Sequence, residues 1–183
     1  MNKIRHIDKK ELRSTKNYLR NGLFYLFYFP IKNLSFPLSN YLRFICLLLF
    51  GAKTKSASIG EGVTIFCPWE LTIGSHSTIG NRCTLTAFGG LKIGNDVRIA
   101  PNVMILTTDH EYADAKTLIR NQGFKQGAVE IGNDVWIAGN VVIVKGVQIG
   151  DGAVIGANSV VTDDIPPYSI AVGAPCKVVG SRK

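Results

Sequence analysis

Along this chain an aliphatic residue followed by a small one recurs in steps of six: Ile73-Gly74, Ile79-Gly80, Ile93-Gly94, Ile99-Ala100, Ile131-Gly132, Ile137-Ala138, Ile149-Gly150 and Ile155-Gly156. A period that short and that persistent constrains the fold more than any local helix or strand preference. Grouped in threes, the aliphatic positions read 73/79/85, 93/99/105, 131/137/143 and 149/155/161, with 59/65 as an incomplete first row. Each row is one turn of a three-sided coil. Every side sends one aliphatic chain inward, turns at the small residue that follows and faces polar groups outward. One such turn is unstable alone, whereas stacked turns satisfy one another's backbone hydrogen bonds and bury a continuous apolar column. The expected architecture is therefore all-β, a parallel β-helix of about five coils.

Steps of eight, from 65 to 73 and from 85 to 93, put two extra residues at one corner, where they can bulge without disturbing the column. The step from 105 to 131 differs in kind and predicts a protruding loop over 107–130. A long insertion in a regular repeat is usually functional or unstructured. This one opens on ILTTDHEY, in which His110 stands between Asp109 and Glu111 after a run of uncharged residues.

Charge is unevenly spread. Residues 1–55 carry eleven Lys or Arg against Asp8 and Glu11, a net of +9, while residues 56–183 carry ten against eleven acids, a net of −1. The basic part also holds GLFYLFYFP and YLRFICLLLFGA, interrupted by Pro30, Lys32, Pro37 and Arg43. No run reaches the roughly 18 to 20 apolar residues that span a bilayer, and no secretory cleavage pattern follows. The chain thus divides into a basic, apolar, helical N-terminal segment over 1–55 and a repeat domain over 56–183. The segment either caps the first coil, since a solenoid end must be covered, or lies at a membrane surface. The basic pI comes without a nucleic-acid-binding motif, so no nucleic-acid partner is expected. Cys46, Cys67, Cys83 and Cys176 show no paired spacing and read as reduced thiols of a cytoplasmic protein.

Over about residues 56–180 the pattern resembles the hexapeptide-repeat acyltransferases, and the resemblance implies a left-handed coil. IGNDVWIAGNVVIVKGVQIGDGAVIGANSVVTDDIPPYSIAVGAPCKVV (Ile131 to Val179) is similar to the C-terminal coils of galactoside, maltose and polysaccharide O-acetyltransferases. FGAKTKSASIGEGVTIFCPWELTIG (Phe50 to Gly74), with the apolar segment before it, is similar to acetyltransferases that decorate bacterial surface polysaccharides. The resemblance implies an acetyl-CoA-dependent transferase acting on a sugar or glycan hydroxyl, with no metal, and a homotrimer whose active sites lie between neighbouring coils. It implies a place in the cytoplasm, on the inner face of the cell membrane if residues 1–55 bind lipid.

Site residues follow from the same alignment. In the family a histidine eight residues after the asparagine of an IAPNV-like stretch is the base, and here Asn102 of IAPNV is followed by His110 at that distance. An imidazole, with an ordinary pKa near 6.5, can take a proton from an attacking hydroxyl. Without the alignment, a solvated loop histidine would be the default. Gly139 falls where a backbone N–H holds the oxyanion, Ala157 and Thr162 where the pantetheine arm lies, and Lys177 where a cation meets coenzyme A phosphates. Trp136 matches a tryptophan near the active site, or else plugs a coil corner. Relatives often carry Lys where this chain has Asp163, and a downstream Arg position is Gly180, so phosphate contacts are either fewer or come from Arg182 and Lys183. Asn81, Arg82, Asp109 and Tyr112 are acceptor-side candidates, and Asp109 alternatively orients the imidazole.

Three rivals stand beside this reading. A β-helical carbonic anhydrase needs three histidines around zinc, and the chain has only His6, His76 and His110, none of them spaced as a pair. N-acetylation of a nucleotide-linked amino sugar uses the same donor site and asks less of a base. A non-catalytic solenoid scaffold explains the repeat but not the series from VWIAG to APCKVV.

Overall fold

The computed structural model of this chain describes residues 4–7 and 15–183. From Lys53 onward the backbone winds as a three-sided parallel solenoid of about six turns, which matches the all-β repeat architecture read from the sequence. The first side stacks Lys53–Thr54, Leu71–Ile73, Leu91–Ile93, Val129–Ile131 and Gln148–Ile149. The second stacks Ala57–Ile59, Ser77–Ile79, Arg98–Ile99, Trp136–Ile137, Val154–Ile155 and Ser169–Val172, and the antiparallel strand Lys177–Ser181 closes it. The third stacks Thr64–Phe66, Thr84–Thr86, Met104–Leu106, Val142–Ile143 and Val160–Val161.

Register follows the six-residue rows. Ile73 pairs with Ile93, Ile93 with Ile131 and Ile131 with Ile149, while Ile105 sits between Leu85 and Ile143. All of these side chains are buried. Lys53–Thr54 completes the first row, and the bridge from Ile149 to Ile165 begins a turn beyond 149/155/161. The count therefore exceeds the five expected, because neither end carries the aliphatic-small signature.

Small residues after each Ile have a steric cause. A Cβ added at Gly74 would overlap the Gly94 backbone, and one at Gly94 the Gly132 backbone. The first-to-second corner is thus a stack of backbones separated by no more than hydrogen. The extra residues at the third-to-first corner fold as a 3-10 turn, Pro68–Glu70.

Two helices, α1 (Thr15–Lys32) and α2 (Ser39–Leu49), cover the first turn. Phe24 and Tyr28 of α1 and Leu47 of α2 are fully buried with Ile59, Val63 and Ile65. Tyr25 and Tyr28 donate to the carbonyls of Ile65 and Val63 at 2.8 and 3.1 Å. Burial pushes both phenols up, Tyr25 to about 12, so each remains a neutral donor. Arg43 is buried and donates to Ile59 O at 2.8 Å, Leu34 O at 2.9 Å and Ile31 O at 3.3 Å, tying both helices to the coil. The four cysteines are buried and free.

Close corner stacking makes a prediction for chemical denaturation. Gly94→Ala should lower unfolding free energy by about 1–3 kcal/mol, because two backbones must move apart. Gly139→Ala, whose Cβ would meet only Pro101 O at 3.5 Å, should change it by less than about 0.5 kcal/mol.

Candidate active site

The insertion is more ordered than a loop. Thr107, fully buried, anchors it: its hydroxyl donates to Thr86 O at 2.7 Å and accepts from Gly89 N at 3.0 Å, and its carbonyl accepts from Gly127 N at 3.0 Å. Beyond that point Thr108–His110 pairs antiparallel with Phe124–Gly127, which pairs in turn with the N-terminal strand Ile4–Ile7. His110 ends its edge strand opposite Phe124, with ring centroids 4.5 Å apart, and it is exposed. An exposed imidazole on a paired strand, backed by an aromatic ring, has a fixed direction and an accessible nitrogen.

Charged contacts brace the strand on both sides. Asp109 forms an ion pair with Lys145, which follows Val142–Ile143 one turn later at the same corner. This ion pair ties Asp109, next to His110, to the coil. Glu111 contacts His6 of the N-terminal strand and is ion-paired, at 3.2 Å, with Lys125. Lys125 Nζ also lies 5.6 Å from the centre of the Tyr112 ring, which is exposed. Phe124, Lys145, Lys125 and Glu111 were not legible as site residues, because only the hairpin and the stacking of turns bring them to His110.

The remaining candidates fall on two edges of the prism. Asn81, Arg82, Gly139 and Ala157 occupy the second-to-third corner, one turn above another. Asn102 N donates to Asn81 O at 3.0 Å, Asn140 N to Pro101 O at 3.2 Å and Asn158 N to Gly139 O at 3.0 Å. Among the described residues the Gly139 N–H has no protein partner. Asn81 Oδ1 accepts from Glu61 N at 2.9 Å, so this side chain caps the turn below rather than projecting freely. Arg82 sits at φ 58°, exposed. Trp136 plugs no corner: it lies on the outer face of the second side between Arg98 and Val154, 54 % exposed.

Thr162 is on the third-to-first corner, the edge that also carries His110 and Lys145. Its hydroxyl donates to Asp163 at 3.1 Å, and Lys177 Nζ is 3.2 Å from the same carboxylate. Hydrogen bonds from Lys177 and Thr162 hold the Asp163 carboxyl below its ordinary range. Arg182 does not join Lys177: it is paired with Asp134 at 2.9 Å and donates to Gly152 O at 3.0 Å, on the first-to-second corner. Among the described residues no group of three His, Cys, Asp or Glu side chains could hold a metal ion.

Comparison with known proteins gives a consistent picture. Residues 128–163 match a family model described as bacterial transferase hexapeptide (six repeats), and residues 70–107 one described as hexapeptide repeat of succinyl-transferase. The chain is 39 % identical over 133 residues to galactoside O-acetyltransferase of Escherichia coli (strain K12), covering 69 % of this chain and 64 % of that one. It spans just under two thirds of the length of this relative, and no more than that of the other curated relatives it matches. Among solved structures, a maltose O-acetyltransferase from Clostridium difficile 630 superposes with a TM-score of 0.83 at 30 % identity, covering 98 % of this chain and 100 % of that one. A galactoside acetyltransferase in complex with coenzyme A gives 0.79 at 32 %, covering 97 % and 86 %.

Lys145→Met should release Asp109 and loosen the strand that ends at His110. Amide exchange at Thr108–His110 is expected to quicken by about tenfold, an opening easier by roughly 1.4 kcal/mol, while the coil strands keep their protection.

Proposed function

Since this chain belongs to the hexapeptide-repeat acetyltransferases, we propose that it moves the acetyl group of acetyl-CoA to a sugar hydroxyl in cell-surface polysaccharide biosynthesis, with His110 as general base. Residues 56–183 are the transferase domain in this reading, and α1 and α2 its N-terminal cap. The observation that carries the proposal is the mounting of His110: exposed, on a paired strand braced by Phe124, at the one long insertion in the repeat.

The reaction needs no covalent enzyme intermediate. His110 takes the proton of the acceptor hydroxyl as its oxygen forms a bond to the acetyl carbonyl carbon. Negative charge moves to the carbonyl oxygen, where the unpartnered Gly139 N–H is available as donor. The tetrahedral adduct collapses, the carbon–sulfur bond breaks, and the proton on His110 passes to the coenzyme A sulfur. Ala157 and the Thr162 hydroxyl serve the pantetheine arm, Trp136 flanks it on the outer face, and Lys177 serves a phosphate. Asn81, Arg82 and Tyr112 remain acceptor-side candidates, Asn81 through its free amide hydrogens.

Spacing supports a shared site. Within one chain Gly139 begins the third side of its turn and Lys145, the partner of Asp109, ends it. These corners are six residue steps of extended chain apart, about 20 Å, whereas a base must come within about 3 Å of the proton it takes. A homotrimer resolves this, because the His110 edge of one copy then faces the Gly139 edge of the next.

Acetyl-CoA turnover, followed as thiol release with hexoses, amino sugars and lipid-linked oligosaccharides, tests the proposal. His110→Ala should lower kcat with a hydroxyl acceptor by about 10² to 10⁴. Turnover confined to amines, or unchanged in the variant, would replace it with N-acetylation of an amino sugar. A second expectation concerns the donor. Asp163→Asn frees Lys177 and should tighten coenzyme A binding about threefold in calorimetry, while Lys177→Ala should weaken it about tenfold.

A further inference from the structure

The first turn of the solenoid is covered by helices that are themselves uncovered. α1 buries Phe24 and Tyr28 against the coil, yet its other face presents Leu19, Leu23, Leu26 and Phe29, with Leu26 69 % exposed. α2 does the same, burying Cys46 and Leu47 while Tyr41 and Leu49 stand outward. A helix that is apolar all round is normally buried on every side, and contiguous exposed apolar surface of this kind marks a contact site. The face continues past Tyr41 into a groove lined by Phe44, Ala57 and Lys55.

Charge decides what covers it. Residues 15–55 include Lys16, Arg20, Lys32, Arg43, Lys53 and Lys55 and no acid. Arg43 is buried and Lys32 bonds Thr64, but Lys16, Arg20, Lys53 and Lys55 are exposed. They flank both ends of the helix pair. Phe24 meets Phe50, just past the end of α2, and Ile31 O accepts from Arg43, so the helices run antiparallel and α1 begins near where α2 ends. Arg20 lies 3.9 Å over the Trp69 ring, and Gly51 abuts Trp69, so Lys16 and Arg20 stand where α2 ends, while Lys55 lines the groove beside Tyr41, where α2 begins. A second copy docking through this face would set like charges against each other, whereas an anionic lipid surface attracts them while it takes up the apolar side chains. Neither described helix is long and apolar enough to cross a membrane.

We propose that α1 and α2 form an interfacial anchor that seats this protein on an anionic membrane surface, with Leu26 and Phe29 inserted at the headgroup boundary and Lys16, Arg20, Lys53 and Lys55 against the lipid phosphates. This does not rest on acetyl transfer, and it is read without it. The full chain is sedimented with vesicles of phosphatidylglycerol and phosphatidylcholine, with vesicles of phosphatidylcholine alone, and without lipid. Anionic vesicles should bind at least about tenfold better than neutral ones, and binding should fall as salt rises. Leu26→Glu with Phe29→Glu should abolish the binding, with melting midpoint and native mass unchanged, and Lys53→Ser with Lys55→Ser should remove the preference for anionic lipid. Equal pelleting with and without lipid, or binding that survives Leu26→Glu with Phe29→Glu, would overturn the proposal. A native mass that drops in that variant would overturn it too, by making the face a contact between copies.

Discussion

Backbone-to-backbone stacking at the corners is the constraint on which this structure depends. Gly74, Gly94 and Gly132 allow successive turns to approach until only hydrogen fits between them. That closeness puts every side of a turn within hydrogen-bonding distance of the side beneath it. Strands only two or three residues long are then sufficient, since each is held from above and below. The aliphatic columns follow, because a fixed register leaves Ile above Ile on all three sides. Asn95 and Asn133 reinforce the corner from outside, each accepting from a backbone N–H of the turn below.

Such a scaffold can vary at its corners without disturbing its core, and the insertion uses that freedom. Thr107 and Gly127 close its base with a backbone hydrogen bond, so the chain leaves and re-enters at one point of the ladder. What lies outside is a three-stranded antiparallel sheet made from two distant parts of the chain. The coil holds it through Lys145 and Asp109, and the N-terminal strand through His6 and Glu111. His110 thereby acquires a definite place on one edge of the prism while Gly139 and Ala157 keep another. The reading of function given above depends on that separation, since it calls for a neighbouring copy to bring the two edges together.

The coil was legible because its signal is repetitive and local. Ile73, Ile93 and Ile131 announce their own stacking, and the eight-residue steps announce the turn at Pro68–Glu70. His110 was legible only through the position it shares with relatives, together with the break in the repeat. The pairing of Ile4–Ile7 with Phe124–Gly127 had no such signal, since four residues of IRHI carry no period and the partner lies more than a hundred positions away. Asp109 with Lys145 and Asp163 with Lys177 were hidden for the same reason: stacking of turns, not spacing along the chain, makes them neighbours. Trp136 faces outward because its position precedes an inward Ile137, an alternation that could have been read from the row itself.

Mixing two inactive variants tests the shared site most directly. His110→Ala lacks the proposed base and Gly139→Phe blocks the proposed donor side, in a corner where an added Cβ meets only Pro101 O at 3.5 Å. Refolded together in equal amounts, random trimers should recover roughly a quarter of wild-type turnover, because one in four interfaces then pairs an intact histidine edge with an intact Gly139 edge. No recovery from the mixture, with each variant folded and trimeric by itself, would mean that one chain holds the whole site and would contradict the account.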